Sequence, residues 1–206
     1  MLNFRLKRVL VLVCLLSLIL IITSCSKNKA LQKFDFEPEK FTLEDLSIYD
    51  ADTDKLISIG MDKNEVEGIL GKSGSETEQQ KIYKYNNYNG LSVFYRDNKV
   101  AAVALLGDED NSSKARYKTI RNINLDFLRK DVEEAYGEQP TANVSYMLIK
   151  KGDTLEYIKD SHSEALKNID FEMNKVYYIS FMFKSKSHEE ISNIIIGDSD
   201  YIMKYE

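Results

Sequence analysis

Side chains able to do covalent or acid–base chemistry are few and scattered along this 206-residue chain. Its two histidines, His162 and His188, stand 26 residues apart in polar surroundings, with no cysteine or suitably spaced second histidine to complete a metal site or orient a general base. They read as solvated surface groups. Asp50-Ala51-Asp52-Thr53-Asp54 has the alternating carboxylates with which a calcium loop begins. Such a loop needs glycine at its sixth position and a bidentate glutamate at its twelfth, where Lys55 and Met61 stand, so the stretch reads as an acidic turn. Asp108-Glu109-Asp110 reads as a linker. No serine sits in Gly-x-Ser-x-Gly, or in Ser-x-x-Lys with its partner motifs, and there is no phosphate-cradling glycine loop or dinucleotide fingerprint. The sequence therefore predicts no catalytic residue, no metal and no cofactor. An enzyme would need a site assembled from dispersed residues.

The cysteines have a different context. Arg5, Lys7 and Arg8 precede a fourteen-residue apolar run, residues 9–22, which contains Cys14; Thr23-Ser24-Cys25 follows directly. This stretch resembles the lipobox of bacterial lipoproteins. The resemblance implies a diacylglyceryl group on the Cys25 thiol, cleavage between Ser24 and Cys25, and a mature protein held by lipid on the extracytoplasmic face of the cell membrane. Cys14 leaves with residues 1–24, and the one remaining, acylated cysteine allows neither an intramolecular disulfide nor a thiol nucleophile. The alternative is an uncleaved anchor, for which the run is short of the roughly 20 apolar residues that span a bilayer.

Cleavage leaves 182 residues, enough for one ordinary domain or two small ones, with 25 basic against 33 acidic side chains and a formal charge of −8. A domain of that sign has no general attraction for nucleic acid or anionic lipid, so the acyl chains alone would hold it to the membrane. Thirteen tyrosines, nine phenylalanines and only two prolines predict an ordered fold containing sheet. Residues 25–41 are lysine-rich and weakly periodic, and read as a tether in which Phe34 and Phe36 allow a short docked strand.

Two segments share one pattern. Val66, Ile69 and Leu70 fall at i, i+3 and i+4 and are followed by Gly71; Val132, Ala135 and Tyr136 repeat the spacing before Gly137. Each predicts a short amphipathic helix closed by a glycine, with Asp62 and Asp126 suited to the N-terminal ends. Strands are predicted over 82–85, 91–95 and 100–105 after the first helix, and over 146–149, 155–158, 169–173 and 176–183 after the second. Asn89-Gly90, Asp97-Asn98 and Lys151-Gly152-Asp153 mark turns. Ser187-His188-Glu189-Glu190 reads as a capping box opening a helix through Ile191, Ile194 and Ile195.

The pattern of Ile59-Gly60-Met61, Val66 and Leu70-Gly71, followed by strands that end in a turn and Lys99-Val100, resembles small lipoprotein domains of the BamE/SmpA kind. Its duplication resembles the tandem architecture of β-lactamase inhibitor protein. Lys72 and Ser73 depart from it where proline often follows the first glycine, and Asn124-Leu125 departs from Gly-Met in the second copy. The resemblance implies an α+β fold of two tandem repeats, 42–110 and 111–206, each with short helices on one face of an antiparallel sheet, plus a short C-terminal helix. The open sheet faces would then carry function. Tyr83, Tyr85, Tyr95, Tyr177 and Tyr178 are the candidate protein-binding residues, because tyrosine offers large rigid area with a polar tip; ordinary half-buried sheet packing is the alternative. The expected function is a lipid-anchored, non-enzymatic module that binds a protein as an inhibitor or assembly factor. The alternative is a small solute-binding or envelope-hydrolysing lipoprotein.

Overall fold

A computed structural model describes residues 35–73, 76–79, 83–107, 115–159, 176–184 and 189–202. Through them the chain runs in a 3₁₀ turn (Leu43–Leu46), strands β1 (Ser47–Asp50) and β2 (Lys55–Ser58), helix α1 (Lys63–Leu70), and strands β3 (Glu76–Gln79), β4 (Tyr83–Tyr88), β5 (Leu91–Arg96), β6 (Lys99–Leu106) and β7 (Tyr117–Thr119). Helix α2 (Arg129–Tyr136) follows, then β8 (Val144–Lys151), β9 (Thr154–Ile158), β10 (Val176–Phe183), β11 (Ile191–Asp198) and helix α3 (Ser199–Ile202). Residues 1–34, including the lipobox and Cys25, the predicted strand 169–173, and both histidines lie outside the described residues.

Local chemistry accounts for the hairpins. Asn89 and Gly90 have φ of 50° and 95°, and Asp97 and Asn98 have φ of 52° and 60°. Two consecutive left-handed residues make the tight turn whose twist matches paired strands, and Asn, Asp and Gly tolerate it best. These turns fold β4, β5 and β6 into a meander. Each main helix has its N3 carboxylate reaching back to the residue before the first turn: Asp62 N donates to Glu65 Oε2 at 3.0 Å, and Leu128 N to Asp131 Oδ2 at 2.8 Å. The second helix therefore starts after Leu128, not at the predicted Asp126, whose own amide is held by Asn124 Oδ1 at 2.9 Å in the preceding turn.

Two tandem helix-on-sheet repeats are not what forms. All the longer strands join one antiparallel sheet of order β3-β4-β5-β6-β11-β10-β8-β9. Its two halves meet at β6 and β11, where Leu105 pairs with Ile194 and Val103 with Ile196. A separate three-stranded sheet, β2-β1-β7, completes the fold. Beneath one face of the large sheet lies a single apolar cluster containing Ile48 and Ile57 of the small sheet, Val66 of α1, Val132 and Tyr136 of α2, and Val103, Phe181 and Ile194 of the large sheet. Val66 and Val132 are both fully buried in it. Because both helices close the same core, neither half has a hydrophobic interior of its own.

The predicted C-terminal helix over 191–195 is also corrected. Residues 191–198 form β11, hydrogen-bonded on both sides to β10 and β6. Ile191, Ile194 and Ile196 face the main cluster, while Ile195 joins a smaller cluster on the opposite face with Phe94, Ala102, Ala104 and Tyr201. A run of β-branched residues buried on both faces suits a central strand. Among the described residues the helix that follows it is α3, a single turn that sets Tyr201 against Phe94 with ring centroids 4.6 Å apart.

Candidate functional site

The charged side chains closest to the core hold one another. The acidic turn after β1 uses Asp50 as an internal anchor: its oxygens accept from Arg116 Nε and Nη2 at 2.7 and 2.9 Å, from Thr53 Oγ1 at 3.0 Å and from Asp52 N at 3.1 Å. Burial alone would raise the Asp50 carboxyl, but those hydrogen bonds outweigh it and hold the group below the usual carboxylate range. Asp54 accepts from Tyr49 Oη at 2.8 Å. In the large sheet, at the end of β11, Asp198 takes Arg96 Nη2 at 2.5 Å and the Tyr201 amide at 3.0 Å. Among the described residues, no group of three or more His, Cys, Asp or Glu is arranged to hold a metal ion.

The candidate tyrosines separate into different environments. Tyr95 is 2% exposed and belongs to the main core, its hydroxyl 3.4 Å from that of Tyr88, so it is not a surface residue. Alternation along β5 accounts for this: Val93 and Tyr95 face the main cluster, and Phe94 between them faces the smaller cluster on the opposite face. Tyr83 and Tyr85 lie in β4, with Tyr85 in register with Phe94; their side chains lie outside the described set. Tyr177 is half-buried and packs against the main cluster, leaving Tyr178 as the candidate on the face away from the helices.

Tyr178 belongs to a patch that sequence alone does not assemble. Its hydroxyl donates to Met147 Sδ at 3.2 Å, and it is in register with Met147 on β8. The next pair on the same face, Ser145 and Ser180, joins its hydroxyls at 2.8 Å, and the Asn193 amide lies 3.7 Å from Met182 Sδ. Ser145 is exposed and the other five are half-buried. Two methionines, a tyrosine and short polar groups give an adaptable surface of mixed polarity. By contrast, Phe94, Ala102, Ala104 and Ile195 elsewhere on this face are buried.

A second feature is a cleft of about 730 Å³ beside the C-terminal end of α2, lined in part by Glu39, Glu133, Glu134 and Glu138, with Lys159 at its edge. Lys159 Nζ contacts Glu39 Oε1 at 2.6 Å.

No protein-family model and no curated protein matches the chain. Solved structures similar to it include an extracellular protein containing a SCP domain from Bacillus anthracis str. Ames, at 14% identity over 84% of this chain and 50% of that one, with a TM-score of 0.43. Another is a cysteine-rich secretory protein from Staphylococcus aureus subsp. aureus Mu50, at 12% identity over 85% of this chain and 50% of that one, with a TM-score of 0.41. The chain spans half the length of each. Likeness at that level carries no functional argument. With one joined sheet and one shared core, the resemblance to repeats of the BamE/SmpA kind does not hold for the fold.

Proposed function

We propose that the protein is a lipid-anchored, extracytoplasmic binding module that engages another protein without chemical turnover. The observation that carries the reading is the N-terminal sequence: a basic segment, an apolar run too short to span a bilayer comfortably, and Ser24-Cys25 directly after it. Lipid on Cys25 would hold the fold at the membrane surface, since a chain of net negative charge has no electrostatic attraction for anionic headgroups. The described core supports a binding role. Its buried carboxylates Asp45, Asp50 and Asp198 are held by arginines and positioned as structural anchors.

The partner surface we assign is the patch around Tyr178, Met147 and Met182, where a tyrosine and two methionines stand half-exposed on neighbouring strands. Crosslinking on intact cells, followed by mass spectrometry of captured proteins, tests the reading. A partner captured by the wild type and lost with the double substitution Y178A/M182A, at unchanged melting temperature, is the expected result. Turnover of an envelope substrate by the purified protein, abolished by a single carboxylate change, would refute it.

A further inference from the structure

Residues 36–41 cross the surface before the first turn and strand and belong to neither sheet. What holds them is largely one side chain. Arg121 follows β7 and has a side chain 1% exposed. All five of its N–H groups are engaged. Nε and Nη2 donate to the two oxygens of Asp45 at 2.7 and 3.0 Å, which fixes the guanidinium plane. The other three donate to backbone carbonyls: Glu37 O at 3.0 Å, Lys40 O at 2.5 Å and Ala135 O of α2 at 2.7 Å. The rings of Phe36 and Phe41 lie 5.0 Å from the guanidinium carbon, and that of Tyr136 lies 4.6 Å away. Beyond this arrangement the segment is held by a backbone bond from Glu39 N to Tyr136 O at 2.9 Å, by the surface pair of Glu39 with Lys159, and by the Phe41 ring, which is buried in the main cluster.

We propose that residues 36–41 are a strap that opens as one unit while the sheets stay intact, with Arg121 as its clasp. Strands such as β5, β6 and β11 are held by whole ladders, whereas the strap's hydrogen bonds converge on one guanidinium and a single ring, Phe41, enters the core, so its opening breaks fewer bonds than parting the strands and has the lower free energy. A lysine could not substitute, because an ammonium lacks the planar fork that serves a carboxylate and three carbonyls together. Opening withdraws Phe41 from Tyr136, Tyr146 and Tyr157, whose ring centroids lie 6.1, 5.3 and 5.4 Å from its own. An aromatic pocket is then uncovered beside the acidic cleft. The strap is also where the chain preceding residue 35 joins the fold. These mechanics are independent of the lipid-anchor reading.

Hydrogen exchange on the purified full-length chain in mild detergent tests this, read at the amides of Glu39 and Lys40 and at those of β5, β6 and β10. In the wild type the two strap amides are expected to exchange together and at least tenfold faster than the sheet. R121K should accelerate them about tenfold further and leave the sheet within about twofold. Strap amides exchanging only at the rate of the sheet, or R121K raising all amides alike, would overturn the proposal. If R121K does not fold, F36A, which removes a ring stacked on the guanidinium and none of its hydrogen bonds, decides: faster exchange confined to the strap supports the strap, and no change overturns it. Because no membrane enters the measurement, its failure speaks to the strap alone and the processing of Cys25 speaks to the anchor.

Discussion

Arg121 and Asp45, 76 residues apart in the chain, form a paired fork with neither side chain open to solvent. A buried pair of this kind is not in itself a large source of stability, because desolvation offsets its attraction, but breaking one side of it leaves a charge without compensation. D45A should therefore lower the free energy of unfolding by about 3–5 kcal/mol. The double variant D45L/R121M should lose less than D45A alone. Urea midpoints of the three proteins check this ordering.

Val66 and Val132 stand at equivalent places on two helices and lie in one cluster. Truncating either to alanine removes two buried methyl groups and should cost on the order of 1–3 kcal/mol, against about 0.5 or less for exposed Glu134 on the same helix as Val132. Since the core is shared, each variant should shift one cooperative transition. Two separated transitions in calorimetry would restore independent repeats.

Asp50 sets an acid limit. Its carboxyl is lowered in the folded protein despite burial, so the stability it contributes is present above the ordinary aspartate pKa of about 3.9 and is lost as the pH falls below that, through the folded value. D50N should be less stable at neutral pH and show a shallower decline in acid. Unfolding midpoints measured from pH 7 down to pH 2 report both.

Alkali tests the buried phenols. Burial pushes Tyr117, Tyr136 and Tyr146 well above the ordinary tyrosine range of about 10, so the stability linked to them is full below that value and is lost as the pH rises through their folded values. Phenolate absorbance should show only part of the thirteen tyrosines ionising near the ordinary value, with the rest appearing together with loss of secondary structure. Thirteen tyrosines titrating in one normal step would contradict the buried placement.

Much of the local structure was readable because its causes are local. Asn89-Gly90 and Asp97-Asn98 mark left-handed turns by residue type alone, and the spacing of Val66 and Val132 before Gly71 and Gly137 marks both main helices. The errors have non-local causes. Ile191, Ile194 and Ile195 satisfy a helical spacing, yet the run is equally a strand buried on both faces, and only the partners β6 and β10 decide between them. The pairing of β6 with β11 that merges the halves joins residues about ninety positions apart and has no local signature. Alternation puts Tyr95 on the face of Val93, but that this is the face covered by the helices and the small sheet is decided by distant packing. Nothing in its spacing marks Arg121 as buried. Its place between Ile120 and Ile123, both buried, was the available hint of a buried clasp.

The central claim, that this fold is presented at the membrane by lipid on Cys25, is tested most directly by the mass of the N-terminal proteolytic peptide of protein extracted from its native membrane. A peptide beginning at Cys25 and carrying a diacylglyceryl group is the predicted result, with unprocessed precursor accumulating for C25A. A peptide containing any part of residues 1–24, or an unmodified Cys25 in the wild type, would contradict it.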